Sequence, residues 1–158
     1  MKSEPTLSIL VPCYNVEKCL NQCLLSIQNQ TLKDFEVICL NEVSTDSTLS
    51  IFKSFQGQDS RFRIIDKTNS GYGDSMNIGL QVAKGKYVGI VESDNYVDYS
   101  MFEKLIKEAE TKKLDASRRG YFLRSREGIT SVRNAWIKKN TVFNPNIDPS
   151  PFWQALAI

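Results

Sequence analysis

Tyr87-Val88-Gly89-Ile90-Val91-Glu92-Ser93-Asp94-Asn95 begins as a short run of mostly apolar residues and closes on an acidic Glu-x-Asp pair. A run of that length bounded by turn-forming residues reads as a buried strand. The carboxylates then stand at its carboxyl end, on a turn and not on a solvated helix face. Two hard oxygen ligands so placed suit a divalent cation, which would in turn hold something anionic such as a diphosphate. These residues alone leave a second reading equally open, in which Asp94 or Asp98 caps the helix that follows.

The residues on either side repeat the pattern. Leu7 to Val11 is an apolar run stopped by Pro12, and Val16 to Asn29 carries Leu20, Cys23, Leu24 and Ile27 at helical spacing. Phe35 to Leu40 is a second strand, and Leu49, Ile51, Phe52 and Phe55 mark a helix behind the capping cluster Ser44-Thr45-Asp46-Ser47. Phe62 to Ile65 is a third strand. The loop Asn69-Ser70-Gly71-Tyr72-Gly73-Asp74 leads into a helix through Met76, Leu80 and Ala83, and Gly85 stands where that helix should stop. After the Tyr87 strand, Phe102, Leu105, Ile106 and Ala109 mark a further helix. Strand and helix alternate, which predicts an α/β fold: a Rossmann-like, mostly parallel sheet with helices on both faces. Beyond Lys113 the pattern weakens to short strands near Ala116 to Leu123 and Ile129 to Val132, and Asn144 to Ile158 carries three prolines without a partner element.

In such a sheet, ligands bind beyond the carboxyl ends of the strands, where strand order reverses. With the first strand central, strands two and three on one side and strand four on the other, the crevice opens between strands one and four. Their ends carry Pro12-Cys13-Tyr14-Asn15 and Glu92-Ser93-Asp94-Asn95, with Asn41-Glu42-Val43-Ser44-Thr45-Asp46 beside them. A ring, an acid and a carboxylate pair meeting in one cleft suit a nucleotide. Dinucleotide binding competes poorly, because the first turn has no GxGxxG, and a P-loop is also absent.

Composition narrows the chemistry. The chain has 158 residues and no histidine, so acid-base work and metal binding fall to carboxylates. The cysteines Cys13, Cys19, Cys23 and Cys39 include no CxxC, and Cys19 and Cys23 lie beside Leu20, Leu24 and Ile27, so buried thiols are expected in place of a zinc site. Residues 1–10 lack the long apolar region of a signal peptide, and no run approaches a membrane span, so a reduced, cytoplasmic protein is expected. Residues 1–111 hold 11 basic and 15 acidic side chains, and residues 112–158 hold 9 and 3. That basic segment is either merely solvated or turned toward a phosphorylated substrate or an anionic membrane surface.

Several motifs in series resemble those of the family 2 glycosyltransferases with the GT-A fold, and especially the bacterial cell-surface polysaccharide type. Leu7 to Asn15 resembles the opening strand with its Pro-x-Tyr-Asn. Phe35 to Asp46 resembles the strand entering Asp-Asp-Gly-Ser-Thr-Asp. Asn69-Ser70-Gly71-Tyr72-Gly73 with Asn77 and Gly79 resembles the loop and helix before the fourth strand, and Glu92-Ser93-Asp94 stands in for Asp-x-Asp. The resemblance covers about residues 6–115 and implies a UDP-sugar donor, a saccharide or lipid-linked acceptor, a divalent cation (Mn or Mg) and no nucleic acid.

By that resemblance Pro12 and Tyr14 border the base, and Glu42 replaces the acid that bonds the nucleoside. Ser93 and Asp94 lie at the ribose and diphosphate, with Asp94 and Glu92 as metal ligands. Asn15, Glu17, Gly71 and Asn77 complete the candidate set. Each has a plainer reading: Tyr14 as a core or surface ring, Asp46 as a cap, Asn77 as a local backbone partner, Gly71 and Gly73 as turn residues. The chain departs from the pattern where Asn41-Glu42-Val43 replaces Asp-Asp-Gly and where Glu92 and Asn95 dilute the acidic cluster. The resemblance also implies a longer protein, with residues 1–115 as the donor-binding core and 116–158 as the start of an acceptor-side region. No catalytic base is assigned; Glu127 and Asp148 are the late acids available. A non-catalytic nucleotide-sugar-binding remnant or accessory subunit is the alternative.

Overall fold

The computed structural model describes residues 4–68 and 71–113, together with the backbone of 121–125 and 128–132. β1 (Leu7–Cys13) and β2 (Phe35–Asn41) are buried along their whole length, as expected of strands covered on both faces. With β3 (Phe62–Asp66) and β4 (Tyr87–Ile90) they form a four-stranded parallel sheet in the order β3-β2-β1-β4. Strand order reverses at β1, where the sequence placed the crevice.

Odd-numbered residues of β1 and β2 (Ile9, Val11, Val37, Cys39) share a core with Leu20, Cys23, Leu24 and Ile27 of α1 (Glu17–Gln28), Phe52 and Phe55 of α2 (Thr48–Gln58) and Phe102 of α4 (Met101–Lys112). Even-numbered Leu10, Ile38 and Leu40 pack on Met76 of α3 (Tyr72–Val82). The period-two alternation of a strand thus serves a different layer on each face. Phe55 and Phe62 close the α2–β3 seam with ring centroids 5.5 Å apart. Arg61 lies 4.2 Å over the Phe35 ring while its guanidinium clasps Asp59 at 2.6 Å.

Two expectations need correction. Pro12 does not end β1, which continues to Cys13. Leu10 O accepts from Val91 N on the β4 side, and Cys13 O accepts from Glu42 N on the β2 side. By that alternation the nitrogen of Pro12 faces the β4 side, where pairing has ended at Ile90, so its missing N–H costs no ladder bond. Gly85 does not stop α3, which ends at Val82 with Ala83 as its cap. It is needed because a side chain there would run into the backbone of Leu7 and Ser8, and its N–H donates to Ser8 Oγ at 2.8 Å. The loop before α3 is also shorter than expected, since Tyr72 to Asp74 is already helical and only Asn69 and Ser70 lie outside the described residues.

The chain divides into two compact units, Met1–Ser117 and Arg118–Ile158. In the second, β5 (Tyr121–Ser125) and β6 (Gly128–Val132) pair antiparallel with Tyr121 opposite Val132. Residues 116–120 of the expected strand and the proline-bearing stretch 144–158 lie outside the described residues. Among the described residues no helix is long and apolar enough to cross a membrane.

Candidate functional site

The turn after β4 is hung on α1 and on the residue just past its C-cap. Cys23 Sγ approaches Glu92 O at 3.7 Å, Val97 N donates to Ser26 Oγ at 3.1 Å, and Gln30 Nε2 donates to Asp98 O at 2.7 Å. Cys23 and Ser26 lie one turn apart on α1 and Gln30 follows just past its C-cap Asn29, so the last turn of this helix and its exit fix the segment from Glu92 to Asp98. Gln30 is wholly buried, and its Oε1 also accepts from Phe102 N in the first turn of α4. Each such bond contributes about 1 kcal/mol, and an orphaned buried partner costs more.

The tie between metal ligation and capping separates by residue. Ser100 N and Ser100 Oγ both donate to Asp98 Oδ1, at 3.0 and 2.6 Å, immediately before α4. Those bonds hold the Asp98 carboxyl below its ordinary range. Asp94 is exposed and makes no hydrogen bond or ion pair among the described residues. Glu92 is half-buried, and its Oε1 accepts from the Tyr72 hydroxyl at 2.7 Å. Burial first, and then this carboxylate, push the Tyr72 phenol up to about 12.

Ser93 is buried, and the turn that carries it follows directly on the Val91 N–H bond to Leu10 O of β1. The four cysteines are free, as the sequence predicted, and Cys13, Cys23 and Cys39 are buried. Burial pushes all three thiols up, Cys23 to about 12, so none is a thiolate ligand or nucleophile at neutral pH.

At the end of β1, Pro12 is buried while Tyr14 presents an exposed ring. Asn15 adopts a left-handed backbone, φ 52°. Its N–H donates to Ser44 Oγ at 3.0 Å and its Oδ1 accepts from Thr45 N at 2.8 Å, so the β1 and β2 turns are stitched together. Glu17 and Asp46 exchange caps. Asp46 accepts from Glu17 N at 3.1 Å and from Thr48 N at 2.9 Å, while Glu17 Oε2 accepts from Ser47 N at 3.0 Å. Glu17 N and Ser47 N, at the starts of α1 and α2, are thereby each bonded by an acid from the other helix's start, and Thr48 N by the adjacent Asp46. Slight burial works against ionisation of Asp46, but the bonds from Thr48 and Glu17 hold its carboxyl below the usual range.

Glu42 is buried at the end of β2 and accepts from Ser75 Oγ of α3. Lys67 Nζ reaches the same Ser75 oxygen at 3.2 Å and Asp74 Oδ2 at 3.2 Å. Val43, the next residue, has φ 50°, a conformation that a β-branched side chain rarely adopts. Asn41 Nδ2 donates to Asp66 Oδ1 at 2.7 Å, tying the ends of β2 and β3, and its buried Oδ1 has no partner among the described residues. These strand ends border a shallow depression of about 440 Å³. Gly71 precedes α3 at φ 91°, which glycine alone accepts without strain, and Asn77 is exposed on that helix.

The structure therefore gathers Tyr14, Asn15, Glu42, Glu92, Ser93 and Asp94 at the carboxyl ends of β1, β2 and β4. Glu17 joins them through its cap, and among the described residues no hydrogen bond connects Asn77 to the group. Lys67, Ser75 and Gln30 were missed. A lysine directly beyond a strand's carboxyl end was a readable signal; the pairings of Ser75 and Gln30 were not. Among the described residues no cluster of three or more His, Cys, Asp or Glu side chains forms a closed metal cage. Asp94 and Glu92 are hard oxygen donors of the kind a cation takes when its other ligands come from phosphate and water.

Known proteins share this sequence and this sheet. The chain matches the Glycosyl transferase family 2 model over residues 8–154. It is 38% identical over 128 residues to the uncharacterized glycosyltransferase EpsJ of Bacillus subtilis, covering 81% of this chain and 37% of that one. Chondroitin synthase of Pasteurella multocida is 38% identical over 104 residues, 66% of this chain and 11% of the synthase. Among solved structures, S. aureus TarS 1–349 in complex with UDP-GlcNAc superposes with a TM-score of 0.65 at 30% identity, over 69% of this chain and 32% of TarS. The Pyrobaculum calidifontis mannosyltransferase PcManGT, solved with GDP-Man and Mn2+, gives 0.65 at 21%, over 74% and 36%. These likenesses bear out the expected α/β GT-A architecture, and the chain spans only about a third of the length of EpsJ and TarS. On the strength of its matched motifs and its sheet, the chain belongs to glycosyltransferase family 2.

Proposed function

We propose that residues 1–115 are the donor-binding core of an inverting glycosyltransferase that uses a UDP-sugar, and that 116–158 begin its acceptor-binding side. The observation that carries this reading is the division of labour after β4. Asp98 spends its carboxylate on the N–H and hydroxyl of Ser100 just before α4, while Asp94 keeps an exposed carboxylate with no hydrogen bond or ion pair among the described residues. Tyr14 would stack on the base above Pro12, and Glu42 would accept from its edge. Ser93 and Asp94 would meet the ribose and diphosphate. Asn15 and Glu17 fix the turns around them through the bonds to Ser44, Thr45 and Ser47. Gly71 opens the α3 turn toward the same cleft, and Asn77 is assigned to its rim.

A divalent cation, Mn or Mg, held by Asp94 and Glu92 would supply charge neutralisation of the departing diphosphate. The transfer itself is a displacement. A carboxylate base removes the proton of an acceptor hydroxyl, whose oxygen bonds to the anomeric carbon. The carbon–oxygen bond to the diphosphate breaks, its electrons leave with the diphosphate, and the configuration inverts. Support for UDP comes from TarS, solved with UDP-GlcNAc at 30% identity. Chondroitin synthase among the relatives supports a saccharide or lipid-linked acceptor in cell-surface polysaccharide synthesis. The basic residues of 112–158 suit work at the cytoplasmic face of an anionic membrane. Calorimetric titration with UDP, ADP and GDP, with and without Mn2+, tests the reading. UDP with Mn2+ should bind tightest, and equal affinities would overturn the uracil assignment.

A further inference from the structure

Glu42 stands at the end of a polar relay that the base-binding role alone does not require. Ser75 Oγ is wholly buried on α3 and donates to Glu42 Oε1. Lys67 Nζ, on a side chain only 9% exposed, lies 3.2 Å from that same Ser75 oxygen. An ammonium group only donates, so the Ser75 oxygen must accept from Lys67 and its single proton is committed to Glu42. Lys67 is itself anchored, its N–H donating to Asn41 O at 3.0 Å and its ammonium to Asp74 at 3.2 Å. The direction of every proton in the chain Lys67–Ser75–Glu42 is therefore set by the protein.

Two consequences follow. A glutamate has one more rotatable bond than the aspartate that the motif resemblance leads one to expect at position 42, and the relay removes that freedom before any ligand arrives. Glu42 is also fixed as an acceptor through Oε1, while Oε2 has no donor among the described residues. A group held this way complements a ring N–H and opposes a ring nitrogen carrying a lone pair. Uracil presents an N–H at N3, and cytosine presents an acceptor at that position.

Resting on the donor-binding reading above, we propose that Ser75 and Lys67 are positioning residues that hold Glu42 for the imide N–H of uracil, and so select uridine over cytidine diphosphate. A plain packing role would instead affect both nucleotides alike, because a buried carboxylate needs partners whatever it binds.

The test is a calorimetric titration of the full chain with UDP and with CDP at saturating Mn2+, for the parent, Ser75→Ala, Lys67→Met and Glu42→Gln. Ser75→Ala and Lys67→Met should each weaken UDP binding about tenfold, the size of one hydrogen bond to a charged group, and leave CDP within about twofold. Ser75→Ala added to Glu42→Gln should cost nothing further. Equal losses for the two nucleotides, or no loss for either beside a clear effect of Glu42→Gln, would overturn the relay while sparing the base site. An unchanged UDP affinity in Glu42→Gln would overturn the base site and the relay together. Lys67→Met acts from outside α3, so it decides the question even if Ser75→Ala unfolds.

Discussion

The Tyr72 hydroxyl donates to Glu92 Oε1 at 2.7 Å, joining the first turn of α3 to the acid turn after β4. With its phenol pushed up to about 12, Tyr72 remains a donor at any pH at which the protein would work. The contact orients one of the two candidate metal ligands, as outer partners commonly do for ligating carboxylates. Tyr72→Phe is therefore expected to weaken Mn2+-dependent UDP binding about tenfold and leave metal-free binding unchanged. An unaltered titration would remove Glu92 from the ligand set and leave Asp94 alone.

Asp94 and Asp98 should separate cleanly by measurement. Asp94→Ala is expected to abolish the metal-dependent part of UDP binding with stability changed by less than about 0.5 kcal/mol. Asp98→Ala, which removes the bonds to Ser100, should cost about 1 kcal/mol and leave binding intact. Urea denaturation alongside calorimetry reads both quantities. The reverse assignment of effects would restore Asp94 as the cap.

Val43 holds φ 50° with its side chain half-exposed. A left-handed backbone costs an L-residue about 1–2 kcal/mol, more than the roughly 0.4–1 kcal/mol by which glycine loosens the unfolded chain. Val43→Gly should therefore raise stability by about 0.5–1 kcal/mol, seen as a higher urea midpoint at unchanged slope. A lower midpoint would mean that the valine side chain packs better than its exposure indicates.

Two partly buried carboxyl groups contribute to the acid limb of stability. The Arg61 hydrogen bonds hold Asp59 down to about 2. Burial pushes Glu36 up, but bonds from Ser8, the Lys84 amide and Arg63 outweigh it and leave the group below its ordinary value. A folded pKa that is depressed means stability present above the unfolded value and lost as pH falls through the folded one. Stability should hold above about pH 4.5 and decline toward pH 2, where ordinary Asp and Glu titrate near 3.9 and 4.3 when unfolded. Asp59→Asn should flatten the lower part of that decline, as measured by urea midpoints at stepped pH.

The sheet was legible because apolar periodicity is a local property. Ile9 and Val37 announce a strand without reference to each other, and the order β3-β2-β1-β4 agrees with placing the first strand at the centre. Pro12 and Gly85 misled because their meaning depends on neighbours far along the chain: the end of β4 in one case, the backbone of Leu7 and Ser8 in the other. The site was legible as a set of strand ends and illegible as a set of bonds. Asp46, Asp94 and Asp98 are alike as letters, and only the placing of particular N–H groups tells cap from unengaged acid. Gln30 reads as an ordinary polar residue at the end of a helix, yet it bonds Asp98 and Phe102, some seventy positions away.

The exchange of caps between Glu17 and Asp46 has an electrostatic consequence for whatever enters the cleft. Helix N-termini are the places where α/β proteins usually receive phosphate, through unpaired amides and the positive end of the dipole. Here the amides of Glu17, Ser47 and Thr48 already bond carboxylates, and Asp98 and Gln30 take those at the start of α4. At α1 and α2 part of the attraction is already met by the protein's own anions, and at α4 by Asp98 and the neutral amide of Gln30. A diphosphate would find little countercharge built into them and would have to bring a mobile ion with it. Under the proposed donor-binding role, loading of the cleft would then be a two-component event, as responsive to the supply of cation as to the supply of nucleotide.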